Sequence, residues 1–298
     1  MTLFKRIALV ANVELAEITD LLNRLCCFLE KDGYSVLSEK KTSYLIDSKN
    51  ILIFDHLDKS LNLDLIIVVG GDGSMLSVGR SAADLNIPLL GVNRGRLGFL
   101  TDILPDDMEV QLKRVLSGDY IISHRFLLDI SLLRNGTKVS SGEAINDLVL
   151  HPGSSLRMME FELYIDKKFV YSQRSDGLIV STPTGSTAYA LSGGGPILHP
   201  NLDAIVLVPM NAHTLSSRPI VVGGNSDIEL KLASRNELST MVTCDGQNDL
   251  SHQPGDVIHI QKKNNPLRLI HQEDNSFYDT CRTKLGWGSH LGSSNRNR

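Results

Sequence analysis

The sequence predicts an α/β fold in two parts. A doubly wound, Rossmann-like N-terminal domain comes first, then a mostly β C-terminal domain, and the last helix returns to the N-terminal domain. Three observations carry this. Leu65-Ile66-Ile67-Val68-Val69 sets five branched apolar residues in a row, the signature of a strand buried on both faces of a parallel sheet. Strand-like and helix-like segments alternate as far as about residue 123. Beyond that point short apolar strands follow one another, separated by turn residues and with almost no helix. A length of 298 residues also favours about two domains with ample buried core.

Taken in order, Arg6 to Ala11 makes the first strand. Ile18, Leu21, Leu22, Leu25, Phe28 and Leu29 recur at helical spacing, with Gly33 placed for the C-terminal cap. Tyr34 to Leu37 is the next strand, and Lys40 to Leu61 is mixed, with no assignment. The run at Leu65 ends in Gly70-Gly71-Asp72-Gly73-Ser74. Met75, Val78, Gly79, Ala82 and Ala83 then give a helix whose small-residue face can pack close to a sheet. Pro88 to Val92 is a further strand. Pro105 suits a first helical turn, with Met108, Leu112, Val115 and Leu116 inward and Gly118 past the end.

In the second domain Phe126 to Arg134 alternates, Asn135-Gly136 is a strong hairpin turn, and Thr137 to Gly142 begins the return strand. Strands follow at Glu160 to Ile165, Gly177 to Ser181, Ala204 to Val208, Ile228 to Leu232 and Val257 to Gln261, with one short helix after Thr187. Ser276 is placed to cap a final helix through Lys284. The domains are therefore set at 1–123 plus about 272–287, and at 124–271, with 288–298 a disordered Gly/Ser/Asn/Arg-rich tail.

Composition narrows the function. Thirty basic and 34 acidic residues give a net charge of −4, so no broad electrostatic footprint for nucleic acid or an anionic membrane is expected. The first residues lack a signal peptide's apolar core, and no apolar run is long enough to span a bilayer. Cys26, Cys27, Cys244 and Cys281 show no C-x-x-C spacing. Reduced thiols in a cytoplasmic protein are the simplest expectation.

The glycine turn after Val69 is where chemistry is expected. Ligands in open α/β sheets lie beyond the carboxyl ends of strands, and glycines there let backbone N–H groups approach a phosphate. Asp72 would be the one strong base among main-chain donors. No lysine follows as in a P-loop, and Leu76 stands where a dinucleotide fingerprint needs glycine. A plain turn with Asp72 or Ser74 as the helix N-cap remains the alternative.

Two more polar clusters need an account. Asn146-Asp147 interrupts an apolar stretch at a strand edge, as a turn or as an amide–carboxylate pair able to bind a ribose diol. From Arg174-Ser175-Asp176 the chain runs through an apolar strand to Thr182-Pro183-Thr184-Gly185-Ser186-Thr187-Ala188-Tyr189, then Gly193-Gly194-Gly195. Its hydroxyls and N–H groups either cap a helix or meet an anionic ligand. One glycine-rich turn in each domain suits a ligand held between domains. His151, His199 and His213 lack metal-type spacing and are taken as structural or surface groups. Gly185-Ser186-Thr187 does not match the hydrolase elbow G-x-S-x-G.

Together these residues resemble the NAD kinase family, over most of the chain from the first strand to Trp287. Gly70-Gly71-Asp72-Gly73-Ser74 looks like its G-G-D-G-[ST] motif, a turn shared with lipid kinases and phosphofructokinases. Asn93-Arg94-Gly95 with Leu97-Gly98-Phe99-Leu100 looks like its N-x-G-x-L-G-F-L block, and Asn146-Asp147 like its N-[ED] pair. Ser175-Asp176-Gly177 with Thr182 to Tyr189 looks like its long nucleotide-binding block, and Asp245-Gly246-Gln247 like a further element. One departure is Asn211-Ala212-His213, where Pro-His is more usual, which bears on the shape of that loop.

The resemblance implies transfer of the γ-phosphoryl group of ATP to the adenosine ribose 2′-hydroxyl of NAD, giving NADP. Asp72 would be the general base, and Gly70, Gly71, Gly73 and Ser74 the phosphate-donor loop, helped by Mg²⁺ or Mn²⁺ with no clear protein ligands. The NAD site implied is Asp72, Gly73, Asn146, Asp147, Arg157, Arg174, Asp176, Thr187, Ala188, Tyr189, Ala190, Leu191, Ser192 and Gln247. A homotetramer or homodimer is implied too. The rival readings are a related kinase for a lipid or sugar hydroxyl, and a non-catalytic dinucleotide sensor.

Overall fold

The computed structural model describes residues 4–11, 18–95, 98–153, 158–214, 216–233, 240–273 and 276–287. The expected tail, 288–298, and Arg157 lie outside the described residues. The chain divides into two compact units, Met1–Ser123 with Arg268–Arg298, and His124–Leu267.

In the first unit the elements run β1 (Arg6–Ala11), α1 (Thr19–Lys31), β2 (Ser35–Glu39), α2 (Lys40–Ser43), β3 (Leu52–Phe54), β4 (Leu65–Val69), α3 (Asp72–Leu85), β5 (Leu89–Val92), α4 (Met108–Leu116) and β6 (Ile121–Arg125). The second unit holds β7 (Leu128–Arg134), β8 (Thr137–Ala144), β9 (Asp147–His151), β10 (Met159–Ile165), β11 (Lys168–Ser175), β12 (Gly177–Ser181) and α5 (Tyr189–Ser192). It continues with β13 (Ala204–Met210), β14 (Ile220–Gly223), β15 (Ile228–Leu232), β16 (Met241–Cys244), β17 (Asn248–Leu250) and β18 (Val257–Lys262). β19 (Leu267–His271) and α6 (Phe277–Leu285) then complete the first unit.

The first unit is built on a seven-stranded sheet, ordered β3-β2-β1-β4-β5-β19-β6 and parallel from β3 to β19. All five residues of β4 are buried, as its apolar run requires. Leu65, Ile67 and Val69 face one core with Leu22, Leu25 and Leu29 of α1 and Leu112 and Val115 of α4. Ile66 and Val68 alternate to the opposite face, where α3 lays Met75, Val78, Gly79, Ala82 and Ala83 against the sheet. The strand order reverses direction between β1 and β4, a topological switch point. The glycine turn is the carboxyl end of β4.

Two six-stranded antiparallel sheets make the second unit, ordered β11-β10-β15-β18-β7-β8 and β14-β13-β12-β9-β16-β17. Phe161, Leu163, Leu230 and Ile258 of one meet Leu148, Leu150, Leu178 and Val180 of the other in a shared core. Val149, Ile179, Val206 and Val208 point to the other face of the second sheet, under Ala190 and Leu198. The hairpin at Asn135-Gly136 forms as expected, with φ of 51° and 78°, the left-handed pair a tight type I′ turn needs.

Some expectations shift. Pro105 lies in a turn ahead of α4, which begins only at Met108. The chain re-enters the first sheet with strand β19, not with the last helix alone. α3 is capped at Gly71 with no side-chain bond, and Ser276 likewise makes no side-chain cap bond to α6. Cys26 and Cys27 lie in α1, and all four cysteines are free thiols. No helix among the described residues is long and apolar enough to cross a membrane.

Candidate active site

Asp72 opens α3, one residue beyond its N-cap, so its carboxylate sits at the positive end of the helix dipole. That carboxylate does not cap its own helix. Phe99 N–H donates to Oδ2 at 3.0 Å and Leu100 N–H donates to Oδ1 at 3.0 Å. Lys284 Nζ, from α6, stands 3.7 Å from Oδ2. The side-chain capping role weighed for Asp72 is thus replaced by a grip on a neighbouring loop.

The sequence of that loop explains why it can hold a carboxylate. Asn93 Oδ1 accepts from Arg94 N–H at 2.6 Å and Gly95 N–H at 3.2 Å, while its Nδ2 donates to Thr101 Oγ1 at 2.8 Å. One buried amide thereby ties both ends of the segment together. At Gly98 any Cβ would collide with Asp72 Oδ1 and Thr101 Oγ1. Glycine there is what lets the Asp72 carboxylate reach the two N–H groups. In the turn itself, Gly70 N–H donates to Val92 O at 2.9 Å and Ser74 N–H to Gly71 O at 3.0 Å. Those two expected phosphate donors are occupied within the fold. A Cβ at Gly71 or Gly73 would meet nothing within 4 Å, so the backbone there borders open space.

In the second unit a cavity of about 560 Å³ is lined by Asn146, Asp147, His151, Asp176, Ala188, Tyr189, Thr243 and Asp245, among others. Its floor is organised by Asp245, a residue with φ of +54° in the turn between β16 and β17. Asp245 Oδ1 accepts from Asn146 N–H at 2.7 Å and Asp147 N–H at 3.3 Å, and Oδ2 from Ile145 N–H at 3.1 Å. The carbonyl of Asn146 accepts from Thr182 N–H at 2.9 Å and Ser181 Oγ at 3.1 Å, and Thr182 Oγ1 donates to Ile145 O at 2.6 Å. A Cβ at Gly185 would strike that same Asn146 carbonyl. The hydroxyl-rich segment is therefore clamped onto Asn146-Asp147.

Asp147 is only 4% exposed. Burial, then the nearby Asp245 carboxylate, pushes its pKa up to about 7. Asp176 accepts from Asn211 Nδ2 at 2.8 Å. Asn211, with φ of +44°, stands in the loop where proline was the more usual residue, and its amide is tied into the pocket wall. His151, taken from sequence as a structural or surface group, also lines the cavity. Its Nδ1 accepts from Gly153 N–H at 3.2 Å, which leaves the ring proton on Nε2, 3.4 Å from Thr243 Oγ1. No sequence spacing signalled it.

The expected residues thus separate. Asn146, Asp147, Asp176, Ala188 and Tyr189 come together at one cavity. Ala190 is buried beneath it in the core, and Thr187, Leu191 and Ser192 belong to the adjoining turn and α5 without lining it. Arg174 is exposed on β11, and Gln247 is exposed on the turn beside Asp245 and Gly246.

Comparison with known proteins decides the family. The ATP-NAD kinase N-terminal domain matches residues 7–120, and the ATP-NAD kinase C-terminal domain matches residues 145–272. The chain belongs to the NAD kinase family. It is 54% identical to an NAD kinase of Teredinibacter turnerae over 98% of this chain and 100% of that one. It is 53% identical to one of Marinobacter nauticus over 99% and 100%. Its fold is similar to yeast NADH kinase complexed with NADH, with a TM-score of 0.84 at 23% identity, covering 98% of this chain and 90% of that chain. An NAD kinase from Archaeoglobus fulgidus in complex with ATP matches with a TM-score of 0.68 at 26% identity, covering 94% and 97%.

Proposed function

We propose that this chain carries out its family's reaction, ATP-dependent phosphorylation of NAD to NADP, with Asp72 as the base and the Asn146-Asp147 cavity as the dinucleotide site. The observation that carries the reading is the Asp72 carboxylate, held by two N–H groups at the carboxyl end of β4, where a doubly wound sheet places its ligand. Asp72 accepts the proton of the ribose 2′-hydroxyl, whose oxygen bonds to the γ-phosphorus as the bond to the β-phosphate oxygen breaks. ADP leaves with that electron pair. Backbone at Gly71 and Gly73 lies close enough to open space to meet the phosphates.

Asn146, Asp147 and Asp176 offer amide and carboxyl groups for ribose hydroxyls and the nicotinamide amide, and Tyr189, 46% exposed, offers an aromatic face. Arg157, Arg174 and Gln247 are assigned to the dinucleotide on the family resemblance alone. The divalent metal, Mg²⁺ or Mn²⁺, enters on the triphosphate. Among the described residues three metal-type side chains gather only at Asp227, Glu229 and His259, in the second unit. When bound, that ion would neutralise developing charge across the phosphate oxygens. The protein is assigned as a homodimer or homotetramer on the same resemblance, which light scattering would check.

The test is NADP formation by purified protein with ATP, Mg²⁺ and NAD, read with an NADP-specific dehydrogenase. Product establishes both the reaction and the 2′-position. Tight NAD binding without product from folded protein supports the sensor instead.

A further inference from the structure

A loop that cradles phosphates usually has a cation beside it, and a P-loop takes this from its own motif lysine. The turn Gly70-Gly71-Asp72-Gly73-Ser74 contains none. The nearby ammonium comes instead from the far end of the chain. In α6, Phe277, Cys281 and Lys284 recur at i, i+4 and i+7, one face of a helix. Phe277 stacks obliquely on Phe99, centroids 6.3 Å apart, and Cys281 is fully buried, so this is the inward face. Periodicity calls for an apolar residue at position 284. A lysine stands there, with Nζ 5.5 Å from the centre of the Phe99 ring and 3.7 Å from Asp72 Oδ2, its side chain 33% exposed.

Phe99 is also the residue whose N–H holds Asp72. Phe99 therefore docks α6 and supports the lysine through its ring, and holds the carboxylate through its N–H. An ammonium has three donors, so a contact with Asp72, in the same glycine turn as Gly71 and Gly73, leaves others for a second anion. On the reading that Asp72 is the base of an ATP-dependent kinase, we propose that Lys284 binds the donor phosphates, supplying from α6 the cation that the glycine turn lacks.

The experiment compares Lys284→Met, Lys284→Arg and, as a control for charge on the same helix, Arg282→Gln. Arg282 pairs with Asp279 on the exposed side of α6. Losing a charge-assisted phosphate contact predicts ATP affinity about 10–100-fold weaker in Lys284→Met. NAD affinity and melting temperature should stay close to wild type, Lys284→Arg should recover most of the loss, and Arg282→Gln should change nothing. Calorimetric titration with Mg-ATP reads this whether or not NADP is formed, so failure of the kinase reading and failure of the lysine's role are separable. Unaltered ATP binding in Lys284→Met overturns the proposal. So does an equal loss of NAD binding and thermal stability, the mark of a purely structural pair, or an equal loss in Arg282→Gln.

Discussion

Asp245 holds Asn146 from 99 residues away: its Oδ1 accepts the Asn146 N–H at 2.7 Å, and the same carboxylate takes the N–H groups of both neighbours. A single anion thereby sets the backbone from which two pocket side chains project. Asp245→Asn keeps the left-handed backbone, which asparagine tolerates, but removes the charge and one of the two acceptor oxygens, setting an NH2 against a backbone N–H. It should destabilise the fold by about 1–3 kcal/mol and weaken NAD binding more than ATP binding. Urea unfolding and paired titrations with the two nucleotides check this.

The same carboxylate helps raise Asp147, after burial itself, to a pKa of about 7 from an unfolded value near 3.8. A carboxyl whose folded pKa is raised holds its proton more tightly in the native state. Its contribution is therefore fully present below about pH 4, lost as pH rises toward 7, and absent above. Asp147→Asn should gain stability relative to wild type at pH 8, on the order of a few kcal/mol, and little at pH 4. Denaturation midpoints across pH 4–8 give the sign directly.

Gly98→Ala places a methyl against Asp72 Oδ1 and Thr101 Oγ1. Overpacking of this kind costs about 1–3 kcal/mol. The larger expected effect is on turnover, since the carboxylate is pushed off its two N–H donors. The prediction is a fall in kcat with NAD affinity nearly unchanged, seen in steady-state kinetics beside calorimetry.

Thr182→Val preserves shape but strips the hydroxyl that donates to Ile145 O and accepts from Gly185 N–H. Thr182 is fully buried, so both backbone groups lose that partner. A loss of about 1–3 kcal/mol is expected, with weaker NAD binding because the 182–189 segment loses its anchor.

What could be seen in the sequence was local. The run Leu65–Val69, the helical stripes of α1, α3 and α4, and the Asn135-Gly136 turn each carry their own periodicity or turn chemistry. Strands such as β11, mostly exposed at a sheet edge, carry little apolar alternation and escaped notice. So did β19, which has no flanking turn signal strong enough to separate it from its surroundings. At the site, Asp72 stood out as a carboxylate among glycines at a strand end, and Asn146-Asp147 as a polar pair inside an apolar stretch. Phe99, Leu100 and Asp245 were marked only by likeness to family motifs, with no contact to either, and Lys284 only as the last residue of the final helix. Phe99 and Leu100 act through backbone N–H groups, which no residue type betrays. Asp245 and Lys284 act across about one hundred and two hundred positions, and His151 reads as an ordinary strand-end residue.

Whether Asp72 is the base is decided by the substitution Asp72→Asn. It changes one atom, keeps the shape of the helix turn, and is measured by kcat for NADP formation beside the NAD dissociation constant. Loss of the base should lower kcat by about 10²–10⁴, with NAD affinity within a few-fold of wild type. Undiminished turnover by folded Asp72→Asn protein would contradict that role.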